Sequence, residues 1–236
     1  VFNGIDLIDG AKSILRGNRI GLLSAASGVN KQGEATYSIL REKFELVALY
    51  SPEHGIRSNL QDGGWEADRI DPETALPIYN VGVNDAARLD AMLEGIDVLV
   101  YDIQDVGARF YTYLYNLSDM MTRCAILKKP IVILDRINPI GGLRVEGTLL
   151  DEKFHSFVGE YAMPTRYGMT VGEYALWVRD HIGLDLDMHI VPMTGWRRDM
   201  QYEDTGLCFV PPSPNCSSLH AARAYIGTCI FEGLNI

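Results

Sequence analysis

The stretch SPEHGIR, residues 51 to 57, sets a carboxylate, an imidazole and a guanidinium within five positions: Glu53, His54 and Arg57. A turn at this point needs only Pro52 and Gly55. Glu53 follows the restrained Pro52, and Gly55 lets the backbone come close to a ligand. Two further stretches carry groups of the same kind. DIQDVGAR holds Asp102, Gln104, Asp105 and Arg109, and LDRIN holds Asp135, Arg136 and Asn138. Carboxylates flanked by hydrogen-bonding and cationic groups suit glycosidic bond cleavage. One protonated acid serves the leaving oxygen, and a second group manages the water or the sugar cation.

Each stretch follows a short apolar run. RIGLLSAAS (19–27), FELVALYS (44–51), DVLVYDIQ (97–104) and PIVILDR (130–136) read as strands buried on both faces. Helical patterns separate them. ATYSILREKF lies between the first two. NDAARLDAMLEG (84–95) offers Asn84 or Asp85 as N-cap and Gly95 as stop. YTYLYNLSDMMTRCAILKK (111–129) ends on two lysines, which favour a helix C-terminus. Alternating strands and helices predict an α/β fold with a mostly parallel sheet and helices on both faces. Ligands of such sheets bind beyond the carboxyl ends of the strands, where all three polar stretches fall.

After residue 137 the chain turns loop-rich. MTVGEYALWVRDHIG (169–183) carries a capping box, Thr170 to Glu173, so Glu173 is read as structural. LDMHIVPM (186–193) reads as another strand, FVPPSPNCSS (209–218) as extended chain, and 219–231 as a last helix. That helix carries an apolar stripe, Ala222, Tyr225, Ile226, Cys229 and Ile230, and the chain closes on apolar Leu234 and Ile236. The stripe predicts a covering surface. Structural roles compete with chemical ones at the rim. Asp105 is equally placed to cap a helix starting near Arg109, and Asp135 and Arg136 to pair with each other or with a neighbouring loop.

With 236 residues, 47% of them hydrophobic, the chain can bury a sizeable core. A net charge of −10 argues against a nucleic-acid partner, and no apolar run reaches the roughly 20 residues of a membrane-spanning helix. Neither the dinucleotide fingerprint nor a Walker phosphate loop is present, which argues against NAD, FAD or ATP, and no G-x-S-x-G marks a hydrolase elbow. The histidines are scattered and no cysteine pair has C-x-x-C spacing, so no metal site is expected. Cys124 is read as a buried thiol; Cys208 and Cys216 are placed either to pair or to stay free.

Seven segments in order, SPEHGIR, DIQDVGARFYTY, LDRINPIGG, VEG, RYGMTVGE, VPPSPN and GTCIFEGLN, resemble the NamZ/YbbC family over residues 1–236. The resemblance implies a bacterial exo-β-N-acetylmuramidase that removes terminal N-acetylmuramic acid from peptidoglycan fragments. It implies a Rossmann-like catalytic domain over 1–236, with about 1–137 as core βαβ units and about 138–236 as further α/β elements. These are expected to lead towards a smaller C-terminal domain beyond residue 236. The partners implied are muropeptides or disaccharides, with no cofactor; the oligomeric state is open. The expected location is periplasmic or secreted. The first residue is Val and no leader is legible, so a cytoplasmic location stays open.

By the same resemblance Glu53 is the catalytic acid, and His54, Asp102, Asp105, Arg109, Tyr111, Asp135, Arg136 and Asn138 line the pocket; on chemical grounds His54 and Asp102 or Asp105 orient Glu53 or the attacking water. Arg57, Arg109, Tyr111, Asp135, Arg136, Asn138, Tyr167 and Glu232 are expected to bind substrate. An arginine among Arg57, Arg109 and Arg136, with Arg144 and Arg166 behind them, is expected to hold the lactyl carboxylate. Tyr167 stands where the family usually has His. The competing reading is a carbohydrate-binding module without turnover.

Overall fold

In a computed structural model, which describes residues 1–233 apart from 62, 63, 66 and 84, the apolar runs lie side by side in one sheet. Its strands are β1 (Arg19–Ser24), β2 (Glu45–Ser51), β3 (Arg69–Ile70), β4 (Pro77–Asn80), β5 (Val98–Asp102), β6 (Ile131–Leu134) and β7 (Met188–Val191). The order is β3-β4-β2-β1-β5-β6-β7. Every pairing is parallel except β3 with β4. Without β3, this is the doubly wound order in which the chain first builds outward from β1 and then returns to build on its other side.

Side chains alternate between two cores, as the two-residue period of a strand requires. Leu23, Tyr50, Leu99, Tyr101, Ile131 and Ile133 face α3 (Ala86–Leu93), α4 (Tyr113–Leu127) and α5 (Val171–His181). Ile20, Leu22, Leu49, Val98, Val100 and Val132 face the 3-10 segment Gly4–Ala11, α1 (Lys12–Leu15) and α2 (Thr36–Lys43). The alternation slips once. Ile20 pairs with Leu46 and Gly21 with Ala48, so Val47 is passed over as a bulge.

The helix signals read from sequence act as expected. Asp85 caps α3 by accepting from Arg88 N; the other candidate cap, Asn84, lies outside the described residues. Thr170 and Glu173 form the capping box of α5. Other expectations need correction. α4 starts at Tyr113, not near Arg109, and Asp105 does not cap it. The last helix, α6 (Leu219–Thr228), gives way to a 3-10 turn over Cys229–Gly233. Of its apolar stripe Ala222 and Cys229 are buried while Ile230 is exposed; Leu234 and Ile236 lie outside the described residues. All four cysteines are free, Cys124 buried and Cys208 exposed.

Candidate active site

β2 ends at Ser51, and the chain turns at once. Gly55 N donates to Pro52 O, Ser58 N to Gly55 O, Leu60 N to His54 O, and His54 N to Gly64 O. This ladder holds His54 at φ 70, a left-handed conformation costly for a residue with a β-carbon, on the order of 1–3 kcal/mol. Such strain persists only where surrounding contacts enforce it, and it concentrates at functional sites. The His54 Nδ1 lies 3.0 Å from Leu60 O, and a carbonyl only accepts, so Nδ1 carries the proton in that bond.

The turn delivers Glu53 and His54 to a cavity of about 100 Å³. Thr112, just ahead of α4, donates from Oγ1 to Glu53 Oε2 at 3.2 Å. Tyr111 stands edge-on to Tyr113 and to Tyr225, with ring centres 4.9 and 6.0 Å away. Tyr113 is fully buried beside Tyr111, its hydroxyl donating to Pro212 O at 2.6 Å. That bond ties the VPPSPN segment to the cavity, where Ser213, Asn215 and Cys216 join the lining. Burial, reinforced by the charge of Asp105, pushes the Cys216 thiol up to about 11 and keeps it un-ionised. Glu232 faces the same cavity from the last 3-10 turn and accepts from Tyr225 OH at 2.8 Å.

Of the residues singled out from sequence, this cavity therefore gathers Glu53, His54, Tyr111 and Glu232. The others go elsewhere. Asp102 is fully buried and paired with Arg136 at 2.5 Å, with Thr36 on its second oxygen. Asp105 accepts from Gly107 N at 2.7 Å and from the Tyr167 hydroxyl; burial pushes its carboxyl up to about 6 despite these bonds. Asp135 accepts from Gly172 N at 2.7 Å and from Thr170 Oγ1 at 3.2 Å, at the start of α5. It does not pair with Arg136, because successive side chains leave an extended chain in opposite directions. Asn138 spans Met169 O and Ile140 N.

Of the arginines expected to hold a carboxylate, Arg144 is exposed outside the cavity lining, and the others are likewise engaged. Arg57 bonds Asp71 at 3.0 Å and Glu73 at 2.7 Å. Arg109 donates to Thr148 O at 2.9 Å and to Met163 O. Arg166 pairs with Glu146 at 2.8 Å. Among the described residues the lining of the cavity holds neither Arg nor Lys.

The family described as "Exo-beta-N-acetylmuramidase NamZ, N-terminal" matches residues 20–220. The chain belongs to this family. It is 40% identical over its whole length to peptidoglycan beta-N-acetylmuramidase NamZ of Bacillus subtilis strain 168, and spans 58% of that protein. Two DUF1343 family proteins of Bacteroides fragilis NCTC 9343 share the fold, with TM-scores of 0.89 and 0.83 at 38% and 34% identity. These likenesses cover 99% and 98% of this chain, and 60% and 62% of those chains.

Family membership does not itself say which polar residues touch a ligand. Thr112, Ser213 and Asn215 line the cavity but were not singled out as site residues, although DIQDVGARFYTY and VPPSPN contain them. The usable signal was the motif as a whole. Neutral side chains inside it attract less notice than its charges.

Proposed function

We propose that the chain carries the catalytic part of an exo-β-N-acetylmuramidase acting on peptidoglycan fragments, with Glu53 as general acid. The observation that carries this reading is Glu53 itself. It is a carboxylate at the carboxyl end of a central parallel strand, aimed into a cavity, with Thr112 fixing one oxygen and a strained His54 beside it. The family and the muramidase activity for which the B. subtilis relative is named supply the substrate class.

In this reading protonated Glu53 gives its proton to the glycosidic oxygen. The bond from that oxygen to C1 of the muramyl ring breaks, and water adds to C1. His54, held through Nδ1 by Leu60, presents its other nitrogen to the water. Glu232, on the same cavity, steadies the positive charge that develops on the sugar. Ser213 and Asn215 are the donors we assign to the acetamido and lactyl groups. Asp102, Asp105, Asp135, Arg109, Arg136 and Asn138 act by holding the loops that form the cavity. The compartment we propose is periplasmic or extracellular, where peptidoglycan lies.

The test is release of the chromophore from a chromogenic β-N-acetylmuramide by the intact native protein, with the corresponding glucosaminide as control. Turnover of the muramide and a strong preference over the glucosaminide are expected. A folded protein that binds N-acetylmuramic acid without turnover is a binding module instead.

A further inference from the structure

A second cavity, about 250 Å³ and larger than the one at Glu53, is not lined by Glu53. Val81 and Val83 wall it beyond the end of β4, Tyr115 and Asp119 of α4 on another side, and Phe157 and Glu160 on a third. We propose that this cavity is the subsite for the sugar on the leaving side of the scissile bond, and that it selects a neutral pyranose. The proposal rests on the muramidase reading.

The two cavities share their partitions. Ser51 of β2 pairs with Asn80 of β4, and Val81 N donates to Ser51 O at 3.1 Å. Glu53 and the 81–83 segment therefore lie just beyond one hydrogen-bonded strand pair, whose strands run about 4.8 Å apart. Thr112 lines the Glu53 cavity and Tyr115 the larger one, three residues apart on one face at the start of α4. Phe157 and Val158, consecutive in the chain, wall one cavity each. A substrate whose bond lies at Glu53 and whose leaving group continues along the rim enters the larger cavity.

The lining suits a sugar. A pyranose has an apolar C–H face and a rim of hydroxyls. Phe157, 42% exposed, offers an aromatic face braced by Trp65 at 6.1 Å between ring centres. Trp65 itself lies on Gly82 so closely that a β-carbon there would come within 1.6 Å of the ring. Asp119 and Glu160 line the same cavity as acceptors for hydroxyls, with Glu160 oriented by a 2.6 Å bond from Ser118 Oγ. Burial, with the charge of Glu160 added, pushes the Asp119 carboxyl up to about 6, and burial raises Glu160 as well. Two desolvated acids repel an anionic sugar, so a second muramic acid fits badly where a neutral hexosamine fits.

Two substrates separate this proposal from the reading beneath it: a nitrophenyl β-N-acetylmuramide, and the disaccharide in which N-acetylmuramic acid is linked to N-acetylglucosamine. Val83→Phe, which fills the cavity, and the near-isosteric Glu160→Gln are assayed in the intact native protein, with melting curves to establish folding. The proposal expects kcat/KM on the disaccharide to fall about tenfold more than on the nitrophenyl substrate, equivalent to roughly 1.4 kcal/mol. Equal effects on both substrates, or an unchanged disaccharide rate in folded variants, overturn it. If the unmodified protein cleaves neither substrate, the muramidase reading fails instead. Titration with N-acetylglucosamine then decides the subsite: binding weakened by Val83→Phe supports it, and no binding at millimolar sugar refutes it.

Discussion

Two crevices lie along the same rim of the sheet, and only one is open. In doubly wound sheets the ligand crevice is expected where the strand order reverses, here between β1 and β5. That place is nearly closed, leaving a cavity of about 10 Å³ lined in part by Ser27, Gln104 and Arg136. Ser24 Oγ donates to Asp102 O at 2.8 Å, and the loop after β1 lies flat over it. A β-carbon on Gly28 would meet Ser24 Oγ at 2.1 Å and Asp102 O at 2.7 Å. The Asp102–Arg136 pair seals what remains, with Arg136 also donating to Val29 O at 2.8 Å. The open cavities lie to one side, beyond β2 and β4. The same residue types thus do opposite work. At the reversal point they satisfy one another; beyond β2 a carboxylate faces a space a ligand can enter.

That contrast predicts opposite phenotypes for two charge deletions. Glu53→Gln keeps the shape and removes the proton. It is expected to lower kcat on a muramide by on the order of 10²–10⁴, or about 3–5 kcal/mol of barrier, with little change in melting temperature. A variant that keeps a third of the activity would remove Glu53 from the acid role. Arg136→Met should do the reverse. It strands a buried carboxylate, at about 3–5 kcal/mol of stability and a melting drop of the order of 10 °C. The protein that stays folded should keep most of its kcat. If Arg136→Met leaves stability unchanged and abolishes turnover, the division between the two crevices is wrong.

The sheet was legible from sequence because its inner strands are buried on both faces and read as continuous apolar runs. β3 and β4 were not. Arg69–Ile70 is two exposed residues and β4 four, one of them proline, so neither makes a run. At the site, the three rim segments could be read, because each polar cluster directly follows an apolar run. Their division of labour could not. The partner of Arg136 is Asp102, 34 residues away on a neighbouring strand, whereas the local candidate was Asp135. Which carboxylate is sealed and which is open depends on packing across strands, and sequence adjacency carries little of that.

Asp105 sharpens the same contrast through pH. Its carboxyl is pushed up to about 6 by burial, against about 3.9 in an unfolded chain. Between those values the folded state binds more protons than the unfolded one, so its stability contribution is full below about 4 and is lost as pH rises through about 6. Asn cannot ionise and keeps an acceptor for Gly107 N. Asp105→Asn is therefore expected to flatten the fall in unfolding free energy between pH 4.5 and 7 by about 2 kcal/mol. Parallel urea-unfolding profiles for the two proteins would contradict a buried, proton-retaining Asp105.

The smallest effect tests how Glu53 is held. Thr112 occupies the N-cap position of α4, where a threonine usually spends its hydroxyl on a backbone amide, and no such bond is made here. Its Oγ1 donates to Glu53 Oε2 instead. Replacing an ordinary threonine cap costs about 1 kcal/mol of stability. Thr112→Val, nearly the same shape, should cost less than that, because there is no capping bond to lose. What it removes is an orienting hydrogen bond on the acid, worth about 0.5–1.5 kcal/mol, so kcat should fall roughly 3- to 10-fold while KM stays close to its original value. Thr112→Ser, which keeps the hydroxyl, should restore most of the rate. A valine variant that loses stability but no kcat would make Thr112 a helix cap after all, and would leave Glu53 to be positioned by its own strained turn.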